Sequence, residues 1–253
     1  MTPAAEDPDR AAAEVDAVTL ALQQRLDALP PRLGHRRTFI ATYLRTTAAV
    51  GRAVRAGHFE DPGWVAAWDV AFGDLFLAAH DADLAGAPVT RPWRLAFGAE
   101  PGMHPLGHLL LGMNAHINFD LPQAVLAVVV DDDFADPDLL ARRDRDHVRI
   151  DAVLASRVAA EDAALGGPRR PVDRVLGPAN RWASRRFLRE SREKVWRNTA
   201  ALQRARVLGP DAYAARLAEL EVLSAAKIAD LLRPGPVLLR LAAGGFGVTL
   251  PPE

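Results

Sequence analysis

The chain has no cysteine, and only two of its 31 basic residues are lysines. Without cysteine there can be no disulfide, thiolate metal site, iron–sulfur cluster or cysteine nucleophile. No apolar run approaches the roughly 20 residues that a membrane-spanning helix needs. The formal net charge is −1, so no global field draws the protein to nucleic acid or an anionic membrane. Residues 1–10 are acidic and contain proline, with neither the basic start nor the apolar stretch of a secretory leader. These absences predict a soluble cytoplasmic protein with no nucleic-acid or membrane partner, and they leave the oligomeric state open. The bias toward Ala, Arg, Leu and Pro matches a bacterial genome of high GC content.

What is present is helical patterning. Residues 1–10 read as a disordered tail and residues 11–253 as one helical domain. Apolar residues recur at helical spacing over Ala11–Leu29, and Pro30-Pro31 stops that helix. A second helix is expected over His35–Gly57. A third starts at the Asp61-Pro62 pair and carries the core stripe Trp64, Trp68, Phe72, Phe76 to about Leu84. Pro92–Phe97 reads as a short turn of helix, and Pro105 opens another that reaches about Phe119. Pro122 is expected to break or kink it, with a buried helix continuing toward Val130. The Asp131-Asp-Asp-Phe-Ala-Asp-Pro run reads as a loop. Later helices are expected over Pro137–Leu165, Pro178–Leu208 and Pro210–Leu232. The fold class is all-α, a single-domain antiparallel multi-helix bundle.

The densest chemistry lies in His108-Leu-Leu-Leu-Gly-Met-Asn-Ala-His-Ile-Asn-Phe-Asp-Leu121, which sets polar side chains on an apolar helix. Such groups are costly to bury unless they hydrogen-bond, pair or bind a metal. His116 and Asp120 are four apart and share a helix face, and His147 and Asp151 repeat the spacing. Two such pairs on neighbouring helices are a way to build a metal site in a bundle core. Nitrogen and carboxylate ligands suit zinc, iron(II) or manganese(II). His108 lies eight residues before His116, about 12 Å along the axis, which suits an acid/base role or a second ion better than the same ion. Asn114 and Asn118 form a further pair that ties helices together or faces a substrate. His80 ends the third helix, where it interacts with the helix C-terminus or joins the site. Gly112 leaves room for a substrate or a neighbouring helix.

Structural roles compete with each assignment. His116 can bond a backbone carbonyl, Asp120 can cap the helix at Pro122, and His147 with Asp151 can form a solvated ion pair. Asp132-Asp-Phe-Ala-Asp136 has the Asp-Asp-x-x-Asp pattern of terpene synthases, but Leu188 stands where the second magnesium motif, begun by Asn180 and Ser184, needs an acid. It reads as a solvated loop and cap. Arg181–Arg197 reads as an amphipathic helix diluted by Glu190 and Glu193. Gly244-Gly-Phe-Gly has no preceding strand and is no phosphate loop.

The segment from His108 to Pro122 resembles the signature of an uncharacterised bacterial family catalogued only as a domain of unknown function. Arg145-Asp-His-Val-Arg-Ile-Asp151, Phe187–Trp196 and Gly245-Phe-Gly-Val-Thr-Leu-Pro-Pro are similar to that family too. The resemblance covers most of residues 35–252; it implies a single helical domain and no reaction. In geometry alone, the His-x-x-x-Asp pairs are similar to those of zinc-dependent phospholipase C and P1 nuclease, which mount related pairs on successive helices.

Two functional readings stay open. In one, a metal-dependent hydrolase or oxygenase acts on a small molecule, with His116, Asp120, His147 and Asp151 holding the ion and His108 as acid/base. In the other, a non-catalytic binding or scaffold protein uses the same polar residues as a core hydrogen-bond network. A metal-free terpene- or lipid-binding pocket lined by Trp64, Trp68 and Phe72 is a third option, set against the reading of those residues as core.

Overall fold

A computed structural model describes residues 7–165, 171–235, 241 and 244–252, with the backbone alone at 155–165 and 171–188. The described residues form helices and connecting turns without a strand. The elements are α1 (Pro8–Asp27), α2 (Arg37–Arg55), α3 (Pro62–Leu84), α4 (Arg91–Phe97), α5 (Pro105–Ala115), α6 (Leu121–Val128), α7 (Pro137–Leu165), α8 (Pro171–Leu208) and α9 (Pro210–Leu232). Many begin with a proline in the first turn, where its fixed φ suits the helix and its missing N–H costs nothing. Asp7 and Asp61 cap α1 and α3 by accepting from Asp9 N and Trp64 N.

Several boundaries differ from the sequence reading. Helix α1 begins at Pro8, inside the stretch expected to be a tail, because Asp7 and Pro8 form a proper start. His35 lies in a 3-10 turn, Pro31–Arg36, and α2 proper starts after it. Asp131–Ala135 winds into a 3-10 turn rather than an open loop. Helix α8 begins at Pro171 and passes through Pro178, the residue at which the sequence pattern starts it.

The most consequential difference is at Pro122. The chain neither breaks nor unwinds there: α5 passes through a π-helical turn, His116–Asp120, directly into α6. Leu121 N–H bonds to His116 O, five residues back. The proline, unable to donate, falls in the first turn of α6. A single wide turn thus absorbs the proline and keeps the segment helical.

Helix α1 packs on α2 and α3; α6 lies against α3 and α8; α9 covers α4, α5 and α8; and α7 reaches α2 and α8. The main core gathers Val15, Leu22, Ile40, Val54, Val65, Phe76, Trp93 and Leu111. Each such side chain contributes roughly 1.5–3 kcal/mol by burial. A smaller cluster of Phe119, Leu126, Leu202, Leu220 and Leu250 ties the C-terminal segment to α6, α8 and α9. No helix among the described residues is long and apolar enough to cross a membrane.

Gly112 is filled by protein. A Cβ there would stand 2.5 Å from Phe39 Cδ2 and 2.6 Å from its Cγ, so the absent side chain is what seats Phe39 against α5. Gly112→Ala is therefore expected to destabilise the fold by about 1–3 kcal/mol in urea denaturation. Gly34→Ala, with nothing within 4 Å of its Cβ, is expected to leave stability unchanged or slightly raised. Equal midpoints for the two variants would contradict the packing at Phe39.

Candidate functional site

The π-turn places His116 and Asp120 side by side in the core. His116 Nδ1 lies 2.9 Å from Asp120 Oδ2, and Trp93 Nε1 donates to the same oxygen at 2.8 Å. With an indole N–H already donating to Oδ2, that oxygen acts as acceptor, and His116 Nδ1 carries the proton. Nε2 is then the lone-pair nitrogen, and it is buried with no hydrogen-bond partner.

Aromatic rings surround the imidazole. Phe72 stacks on it at 3.4 Å and 5°, Tyr43 meets it edge-on at 4.5 Å, and Phe39, Phe76 and Trp93 stand 5.9–6.1 Å away. Burial lowers the His116 pKa against the pull of Asp120, and burial raises that of Asp120 against His116 and Trp93. Both shifts follow from removing charge from water.

Beside the dyad sits a second polar group. Tyr43 and Thr47 lie one turn apart on α2, and Asp69 comes from α3. The Tyr43 and Thr47 hydroxyls and Asp69 Oδ2 are buried without well-formed hydrogen bonds. Burial, then Asp69 and Asp120, push the Tyr43 phenol well above its ordinary range, while Thr47 tempers the shift. Burial alone raises Asp69 to about 7. Four unpartnered polar atoms thus sit on or beside one aromatic cage, where each costs roughly 1–3 kcal/mol unless something binds it.

The other sequence-predicted residues are distributed differently. His147 lies between Trp68 and Trp196, at 5.7 and 6.1 Å, and burial followed by Arg192 lowers its pKa to about 3. Asp151 is engaged by Arg192 Nε at 3.1 Å, although burial still raises it to about 6. Among the described residues no three His, Asp or Glu side chains are arranged to hold a metal. The four-ligand set expected from the paired spacing is therefore not assembled: Asp120 faces its own histidine and Asp151 faces an arginine. His108 stands beside His35, with ring centres 4.9 Å apart. His80 is fully buried against Phe76 and Phe97, at 5.7 and 6.2 Å.

The asparagines act as ties. Asn114 Nδ2 donates to Leu110 O, and Asn118 Nδ2 donates to Asn114 Oδ1 and to Phe246 O. Asn118 Oδ1 accepts from Val248 N, and Asn198 pairs in the same way with Val248 O and Leu250 N. Gly245, at φ +65°, lets this C-terminal segment turn close over Glu190. Asp131 pairs with Arg206, and Asp136 caps α7. Within Arg181–Arg197 the side chains of residues 181–188 lie outside the described residues, among them Trp182, Ser184 and Phe187, as does that of Asn180.

A model described as a family of unknown function (DUF5995) matches residues 15–234. The chain belongs to this family. No curated protein and no solved structure matches it. The matched span holds the dyad, its aromatic cage and the Tyr43–Asp69 group.

Sequence reasoning missed Tyr43, Asp69, Trp93 and His35 as site residues. Asp69 carried a readable signal, as a lone carboxylate between Trp68 and Val70 in an apolar stripe. Trp93 and Tyr43 look like ordinary core residues, and only the tertiary fold brings their polar atoms to the dyad.

The Asp69 shift sets a pH dependence. Its folded pKa, about 7, exceeds an unfolded value of about 3.9, so its contribution is present below about pH 4 and lost as pH rises through 7. The stability of the native protein minus that of Asp69→Asn is expected to fall by about 2–3 kcal/mol between pH 5 and pH 8 in urea melts. The opposite trend from His147 cancels in this difference. A difference independent of pH would contradict the assignment.

Proposed function

We propose that this protein binds a small molecule in its core and acts on it by proton transfer, with His116 as general base. The reading rests on one observation: His116 Nε2 is buried and unpartnered while Asp120 and Trp93 fix the opposite edge of the ring arrangement. In this scheme Nε2 accepts a proton from a ligand O–H, N–H or C–H group. Asp120 stabilises the imidazolium that forms, without itself taking the proton. Asp69, poised at about 7, and Tyr43 supply hydrogen bonds or a returning proton to the ligand. Phe72, at 9% the most exposed ring of the cage, covers the imidazole face and is the ring a ligand displaces.

A divalent cation on Nε2 is a second reading, favoured by the same geometry. An aspartate behind an imidazole is how ligand histidines are commonly held, with Asp120 then orienting the ring instead of coordinating. Zinc, iron(II) or manganese(II) would fit a nitrogen ligand, and water or substrate would complete the shell.

Ligand-observed NMR screening with small hydroxyl- and carbonyl-bearing compounds tests the first reading. Compounds that bind the native protein are expected to bind His116→Gln at least tenfold more weakly, with the variant still folded by circular dichroism. If no compound binds, or binding ignores the substitution while His116→Gln only lowers the melting temperature, the dyad is a structural network. Metal analysis of tag-free protein addresses the second reading: His116→Ala should lose one equivalent of metal, and unchanged content would exclude coordination at Nε2.

A further inference from the structure

A second histidine pair lies outside the dyad. His35, in the 3-10 turn before α2, and His108, in the first turn of α5, hold their ring centres 4.9 Å apart with planes inclined at 43°. Both nitrogens of His35 and Nε2 of His108 are buried and unpartnered. His108 is 6% exposed, whereas His35 is half-buried. The pair thus has a fixed inner ring and an outer ring nearer solvent.

The spacing suits a shared ion. With metal–nitrogen bonds of about 2.0–2.1 Å and a tetrahedral angle, two imidazole centres stand about 5 Å apart. Each nitrogen left bare in the interior carries a desolvation cost. Burial is the first cause that lowers both pKa values, opposed by backbone contacts to Phe97 at His35 and to Pro101 and Glu100 at His108, so the rings are neutral and each keeps one lone pair. The neighbouring cation, Arg36, is engaged by Asp83 Oδ2 at 2.7 Å and stacks over Phe97, so its charge is largely answered.

We propose that His35 and His108 form a binding site for a divalent transition metal of the zinc class, with remaining positions open to water or a ligand oxygen. The site is independent of the His116 dyad and does not rest on the function proposed for it. Two protein ligands leave the remaining positions to water or a ligand oxygen.

Zinc titration of tag-free, chelator-treated protein, read by calorimetry and by the histidine Cε1–H resonances, tests this. One saturable equivalent is expected, with the His35 and His108 resonances moving together. His35→Gln and His108→Gln should each weaken binding at least tenfold, and His116→Gln should leave this equivalent unchanged. His35→Gln alters a half-buried turn residue, so its fold is expected to persist, checked by circular dichroism. No saturable uptake, or uptake that survives both substitutions, would overturn the proposal. Loss only in His116→Gln would overturn it as well, by placing the ion at the dyad.

Discussion

The hydrogen bond from His116 to Asp120 sets the terms for the centre of this fold. It spans a π-turn that carries the helix past Pro122, a residue that cannot donate a backbone hydrogen bond. Trp93 then closes the arrangement from α4 by donating to the same carboxylate oxygen. One buried acceptor thus commits α4 and the turn between α5 and α6, 27 residues apart, to one geometry. The aromatic residues of α2 and α3 pack around the ring that this acceptor orients.

That arrangement is costly by core standards. A buried carboxylate and imidazole each lose hydration, and their pairing recovers only part of it. The cost is compounded by Asp69, Tyr43 and Thr47, whose buried polar atoms lack well-formed hydrogen bonds. Apolar residues of similar volume would fill the same space with less penalty. A cluster of mismatched polar groups is the pattern expected where binding or proton transfer has set the sequence, rather than packing alone. The asparagines behave in the opposite way: Asn118 and Asn198 satisfy their amides on the C-terminal backbone and serve the fold.

The helical class and most helix positions were legible because they depend on local patterning. Proline starts, aspartate caps and the Trp64–Phe76 stripe are readable within one or two turns. The pairing of His116 with Asp120 was legible for the same reason, being an i, i+4 relation. The proposed partnership with His147 and Asp151 extended local spacing to a tertiary claim, and the fold instead gives Asp151 to Arg192, 41 residues away. Tyr43 and His35 were invisible because what defines them is which polar atom stays unmatched after packing, and Trp93 because the acceptor it finds lies 27 residues away. The π-turn was equally hidden, since the usual helical period assumes that each turn has the same width.

The central claim is that Asp120 holds the proton of His116 on Nδ1 and leaves Nε2 as a bare lone pair. Nitrogen-15 correlation spectra of the imidazole across pH read this directly. An Nδ1–H tautomer is expected, with protonation delayed below the ordinary histidine range by burial. An Nε2–H tautomer, or a ring that titrates at or above that range, would contradict it.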